Sequence, residues 1–313
     1  MDKTPIKLTA PIKDYLWGGT RLISDFNKKT TLDKAAESWE LSTHPDGESI
    51  VATGKYTGRK LSEYIEKIGG AQCIGKKAAA FDFFPILIKL IDAKDNLSIQ
   101  VHPNDEYALK VEGEYGKTEM WYIVDCEDDA FLYFGVNRDV SKEEFEERIK
   151  NNTLLEILNK VPVHKGDVFF IPSGTIHAIC SGILICEVQQ NSNTTYRVYD
   201  YDRRSADGLP RELHIDKAID VSNLTPTKPI VTDSPEMLAK CQYFTVEKVN
   251  CNGAKKIAID SNCFKSLVII DGNGSIEVNG YSLSISKGES IFIPAQNGEI
   301  LLNGDFEAIL SYV

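Results

Sequence analysis

The chain has 313 residues, 42% of them hydrophobic, with only 12 Pro and 22 Gly. That is enough apolar mass for one large or two modest cores, and it excludes collagen-like and disordered readings. Thirty-five Lys and Arg against 46 Asp and Glu leave a formal charge of −11, which repels nucleic acid and anionic membranes and excludes both as expected partners.

In chain order, Leu61, Ile65 and Ile68 fall at i, i+4 and i+7 before Gly69-Gly70 and predict a short helix with its stop. Residues 85–91, 97–101, 120–124 and 130–134 are β-branched or aromatic runs bounded by turn residues and predict strands. Ser141 with Glu144 forms a capping-box pattern ahead of Phe145 and Ile149, so a second helix starts there. Strands return at 167–171 and 183–186, and a helix is expected over 215–221. Thr225 to Pro229 holds two prolines in a polar stretch, which sets the expected boundary between residues 1–228 and a smaller domain, 229–313. Beyond it, strands are predicted at 264–270, 275–278, 290–293 and 309–312. The whole reads as mainly β, a sandwich or barrel with accessory helices.

The N-terminal residues lack an apolar run, and the most hydrophobic stretch, 83–91, is short and carries Lys89. Neither a signal peptide nor a membrane span is expected. Seven cysteines, an odd number without a C-x-x-C spacing, suit a reduced compartment, and a cytoplasmic location is expected.

An internal repeat lies 122 residues apart: Lys165-Gly166-Asp167-Val-Phe-Phe-Ile171-Pro172 and Lys287-Gly288-Glu289-Ser-Ile-Phe-Ile293-Pro294. The first copy runs on to His177, whereas the second continues without histidine. The string Gly166-x5-Pro172-x-Gly174-x2-His177 resembles the second signature motif of the cupins. It departs from that pattern at Ser181, where the family usually has Asn. The resemblance implies a double-stranded β-helix, or jelly roll, that presents His177 into a barrel mouth. It also implies that 229–313 is a degenerate cupin-like domain without metal ligands.

Gln100 and His102 alternate onto one face of their strand, and Glu119 opens the next one. Two imidazoles, a carboxylate and an amide oxygen are a donor set for a divalent first-row metal, on the border between zinc and non-haem iron.

More extended motifs carry a closer resemblance. Trp17-Gly18-Gly19, Ala36-Glu37-Ser38-Trp39-Glu40, Leu97-Ser98-Ile-Gln100-Val-His102-Pro103, Lys117-Thr-Glu119, Glu187-Val-Gln-Gln190 and Thr195-Tyr196-Arg197-Val-Tyr-Asp200 run collinearly through residues 1–204. In this the chain is similar to the type I mannose-6-phosphate isomerases of the short bacterial kind. The resemblance implies one zinc ion per chain, held by His102, Glu119 and His177 with Gln100 in the fourth ligand position. It implies Arg197 as the catalytic arginine, with Lys117 and Glu187 in the same pocket, and Ser98 and Arg203 where the family grips phosphate. Trp17 is read either as a pocket wall or as core packing.

The chemistry agrees with these assignments. Aldose–ketose isomerisation moves a proton between C1 and C2 through a cis-enediol, with negative charge developing on the two oxygens. Arg197 is permanently charged and suits electrostatic stabilisation; Glu187 and Lys117 are both candidates for the proton carrier. A sugar phosphate is the expected partner, and a monomer or a homodimer the expected state. Two rivals share the ligand set: an iron(II) cupin dioxygenase, and a non-catalytic sugar-phosphate-binding cupin.

Overall fold

A computed structural model describes residues 3–204, 208–229 and 235–313. The chain is mainly β, as the sequence indicates. It divides into two compact units. The first comprises Met1–Asp14, Thr20–Leu90 and Thr232–Val313; the second comprises Tyr15–Gly19 and Ile91–Val231.

This division departs from the boundary expected at 228/229, part of whose continuation, 230–234, lies outside the described residues. Ile6–Thr9 pairs antiparallel with Ser290–Ile293, with Ile6 opposite Phe292 and Leu8 opposite Ser290. The strand from the first residues thus belongs to the sheet formed by the last ones. Composition along the chain marks where linkers fall, but it holds no signal for a pairing between residues almost 300 positions apart.

Within the first unit an eight-stranded sheet runs in the order Met237–Lys240, Thr245–Ile259, Gly298–Tyr312, Lys265–Val278, Ser290–Ile293, Ile6–Thr9, Ile50–Val51, with Tyr281–Ser286 branching from Lys265–Val278. The strands expected at 264–270 and 275–278 are one continuous strand, Lys265–Val278, because it keeps its ladder with Gly298–Tyr312 through a single bulge after Ile269. Leu267, Ile269, Ile276, Ile291, Ile293, Leu302 and Leu310 fill its core. The helix before Gly69 covers Leu61–Lys67, and a further helical segment that the sequence pattern missed, Ala71–Ala78, broken at Gly75 where φ is +84°, follows directly after Gly70.

In the second unit, a five-stranded sheet has the order Tyr196–Tyr199, Ile99–Val101, His177–Ile179, Phe131–Val136, Leu158–Pro162. Across from it lie three adjacent strands, Val168–Ile171, Glu119–Cys126 and Ile183–Gln190. Ring contacts between Trp121 and His177 and between Phe134 and Phe169 join the two layers. Helices Lys142–Lys150 and Ile215–Val221 cover the outer face of the five-stranded sheet, the first starting at Ser141, whose hydroxyl accepts the Glu144 N–H.

Strand alternation then sorts the side chains. Ile99, Val101, Ala178, Tyr196 and Val198 pack in one cluster with Phe145, Ile149 and Ala218 of the helices. The residues between them, Gln100, His177 and Arg197, project to the opposite face, toward the other layer. A pattern of period two therefore separates the structural face from the chemical one.

The internal repeat is also a structural one. Gly166 and Gly288 have φ of +92° and +86°. Each donates its N–H to an isoleucine carbonyl, Ile123 in one copy and Ile269 in the other. That isoleucine returns its own N–H to the carbonyl of the acidic residue following the glycine.

Candidate metal centre and active site

His177 leads its strand directly opposite Gln100, and Gln100 lies opposite Arg197 on the other flank. Directly opposed residues of antiparallel strands project to the same side, so Gln100, His177 and Arg197 share one face. Glu119 opens the facing strand, opposite Ile171 and Gln189. His102 lies just past the end of Ile99–Val101.

Their donor atoms converge: one atom each from His102, Glu119 and His177 lies within 4.8 Å of the others, and all three residues are buried. His177 Nε2 is 3.3 Å from Glu119 Oε1, and His102 Nε2 is 3.6 Å from Glu119 Oε2. The imidazoles are fixed from behind. His102 Nδ1 is 3.0 Å from the Thr194 carbonyl and His177 Nδ1 is 2.8 Å from the Thr175 carbonyl. A carbonyl only accepts, so both protons reside on Nδ1 and both Nε2 lone pairs face the carboxylate. Burial drives the His177 imidazole down to about 4, outweighing the bond to Thr175, and this keeps it neutral.

These residues fit a metal ion. His177 Nε2 is buried without a hydrogen-bond partner, a costly arrangement unless it coordinates something. Two neutral imidazoles held by backbone carbonyls, plus a carboxylate, form a donor set for a divalent transition metal.

Lys117 joins the cluster: its buried ammonium is ion-paired with Glu119 Oε2 and hydrogen-bonds His102 Nε2, both at 3.1 Å. Glu187 enters one layer further out. It lies opposite Trp121 in the sheet and accepts the indole N–H at 2.9 Å, while the Trp121 ring sits edge-on to His177 with centroids 5.2 Å apart.

Arg197 is partly buried, and its guanidinium donates to the Glu212 carbonyl at 2.8 Å. Burial, reinforced by the neighbouring Arg211 charge, holds its guanidinium below the ordinary arginine value. His214 clamps the Arg197 backbone, accepting its N–H on Nδ1 and donating its own N–H to its carbonyl. The sequence carries no signal for His214, because partners 17 residues apart on a strand and a helix cap form no local motif.

Arg203 and the Trp17 backbone both bond to the segment that leads into Ser98. Ser98 is buried two positions before Gln100. Arg203 donates to the Asn96 carbonyl and to Asp200, and the Trp17 carbonyl accepts the Asp95 N–H. Trp17 is buried and packs on Tyr15. The Ser181 N–H, at the position where the cupin pattern usually has Asn, donates to Asn96 Oδ1.

Asp200 is a buried hub. It accepts two bonds from Arg211, at 2.7 and 2.6 Å, and one from Arg203. Burial alone would raise its pKa, but those hydrogen bonds and the two positive charges outweigh it and hold the carboxyl below its ordinary value. The partner Arg211 lies beyond the motif and carried no sequence signal.

A jelly roll with a two-histidine, one-carboxylate cluster defines the chain as a cupin with a candidate metal centre. Comparisons with known proteins narrow this further. The family model described as phosphomannose isomerase type I, catalytic domain, matches residues 6–127, and that described as mannose-6-phosphate isomerase, cupin domain, matches residues 235–313. The chain is 39% identical to the mannose-6-phosphate isomerase ManA of Bacillus subtilis over the full length of both. It is 37% identical to a mannose-6-phosphate isomerase of Streptococcus mutans over 98% of each. Among solved structures, the Bacillus subtilis mannose 6-phosphate isomerase matches with a TM-score of 0.91 at 35% identity, covering 99% of this chain and 100% of that one. The chain belongs to the type I mannose-6-phosphate isomerase family.

Proposed function

We propose that the protein interconverts mannose 6-phosphate and fructose 6-phosphate, with one zinc ion held by His102, Glu119 and His177 and by Gln100 as fourth ligand. The observation that carries this reading is the buried His102–Glu119–His177 cluster with Lys117 set against two of its donor atoms, in a chain of this family. When bound, zinc would act as a Lewis acid toward the C1 and C2 oxygens, where negative charge develops during enolisation.

The protein's own groups supply the rest. Arg197 shares the face of Gln100 and His177 and adds a fixed positive charge for the same oxygens. Lys117 moves the proton between C1 and C2, because its Nζ lies among the ligand atoms; Glu187, bonded to Trp121, keeps that ring against His177. Arg203 and Ser98 hold the phosphate, with Arg203 oriented by Asp200 and Asn96, and Trp17 forms a wall. This local cluster of cations resolves the conflict between a dianionic substrate and a chain of net charge −11. We infer that residues 229–313 form a cupin-like domain without ligands of its own. The seven cysteines, all free, suit a reduced cytoplasmic compartment.

The test is a coupled assay of mannose 6-phosphate isomerisation on protein as purified, after chelation, and after adding back zinc or iron(II). Activity lost on chelation and restored by zinc is expected. Zinc-loaded protein without isomerase activity refutes the function; restoration by iron(II) alone refutes the metal. Oxygen uptake with iron(II) would favour the dioxygenase.

A further inference from the structure

One carboxylate outside the ligand set holds the segment that orients His102. Glu114 Oε2 is approached by three donors from a single turn: the Ser192 hydroxyl at 3.4 Å, the Asn193 N–H at 3.2 Å and the Thr194 hydroxyl at 3.2 Å. Within the turn, the Thr194 N–H donates to the Ser192 hydroxyl at 3.2 Å. The Thr194 carbonyl then accepts the His102 Nδ1 proton. Glu114 itself lies three residues before Lys117 and five before Glu119.

The 116–118 segment is fixed by a parallel device. Asp105 Oδ1 accepts the Gly116 N–H and the Gln190 side-chain N–H, both at 2.8 Å, and Gln190 Oε1 accepts the Thr118 N–H at 2.9 Å. Residues 190–194 therefore touch both sides of the centre, and Glu114 is the anionic group that gathers their second half.

We propose that Glu114 is a positioning residue for the metal centre: it holds the Thr194 carbonyl where it fixes both the ring orientation and the tautomer of His102. The inference rests on the metal reading above. A carboxylate that organises the acceptor behind a ligating imidazole acts on metal affinity without touching metal or substrate, and loss of such outer partners typically lowers affinity by about 10–100-fold. With Glu114 removed, Thr194 is free to turn its carbonyl away and His102 to shift its proton to Nε2, the nitrogen that must coordinate.

The experiment measures the affinity of the full chain for Zn2+ by competition with a chromophoric chelator, and the visible absorption spectrum after loading with Co2+. Wild type, Glu114→Ala, Glu114→Gln, His102→Ala and a control from the same stretch, Glu112→Ala, are compared. Glu112 instead bonds Tyr196 and Lys217. Glu114→Ala should weaken zinc by about 10–100-fold and alter the Co2+ spectrum, with Glu114→Gln intermediate because an amide oxygen still accepts. Glu112→Ala should bind as wild type does. If Glu114→Ala binds zinc with unchanged affinity and an unchanged Co2+ spectrum, or if Glu112→Ala weakens zinc as much, the positioning role is overturned while the metal site stands. A wild type that binds no divalent metal, or a His102→Ala that binds as well as wild type, overturns the metal reading and this inference with it.

Discussion

Asp200→Asn is the most informative test of how the arginine-rich segment is built. The wild-type carboxylate is 6% exposed and takes a two-pronged contact from Arg211 as well as a bond from Arg203. Asparagine keeps one acceptor oxygen, places an N–H against a guanidinium, and leaves two positive charges facing each other without an anion between them. Breaking a buried ion pair on one side costs about 3–5 kcal/mol. Both arginine side chains are 22% exposed, so water screens part of the loss, and about 2–3 kcal/mol is expected at pH 7. For a chain of this size that corresponds to a drop in melting temperature of about 4–12 °C.

The sign of the pH dependence follows from the depressed pKa of Asp200. A carboxyl whose folded value lies below its unfolded value contributes stability that is complete above the unfolded value, about 4, and vanishes as pH falls through the folded one. Melting curves of both proteins, chelated throughout, should differ at pH 7 and converge below pH 4. A difference within about 0.5 kcal/mol at pH 7, the range of an ordinary surface change, or a gap that stays constant down to pH 3, refutes the hub.

Three more outcomes are expected. Arg197→Ala should reduce isomerase turnover by at least about 100-fold, the scale for removing one electrostatic donor, while metal content by mass spectrometry stays at the wild-type level. Cys73 and Cys180, both fully buried with thiols pushed up to about 12 by burial, should resist a thiol reagent at pH 8 in the native protein and react only on unfolding, after the less buried Cys126 and Cys241; fast labelling of Cys180 in folded protein contradicts this. Gly166 and Gly288 occupy matching turns at positive φ, but a Cβ on Gly166 meets nothing within 4 Å whereas one on Gly288 would lie 2.0 Å from the Phe26 carbonyl oxygen. Gly166→Ala should cost only about 1 kcal/mol of backbone strain, and Gly288→Ala about 3 kcal/mol or more because backbone must move; equal unfolding midpoints for the two variants would show that the duplicated turns are not distinguished in this way.

Much of the fold was legible because its signals are local. The strand Ser290–Ile293 and the helix Ile215–Val221 fall where expected, since a turn residue, a period and a stop lie within a few positions of each other. The helix Ala71–Ala78 was missed because Gly69-Gly70 ends one helix and immediately precedes another. At the site, His102, Glu119 and His177 were found through motif and alternation, and the structure gathers them with Lys117. Glu114, Arg211 and His214 escaped because their partners lie 78–80, 11 and 17 residues away, at spacings that match neither a helix nor a strand.

The sequence by itself determined the mainly β class, the repeated Lys-Gly turn, the candidate donor residues and the family resemblance, all of which depend on residue identity and short-range period. Tertiary structure alone decided which strands share a sheet, so that Ile6–Thr9 joins Ser290–Ile293, and which groups stand behind the candidate metal-binding side chains. Hydrogen bonding is directional over about 3 Å, so the Thr194 carbonyl can set His102 only after the chain has brought residues 92 positions apart into register. Linear order carries no such distance. The face that His177 and Arg197 present is already written in the alternation of their strands, but what meets them there is a property of the folded molecule.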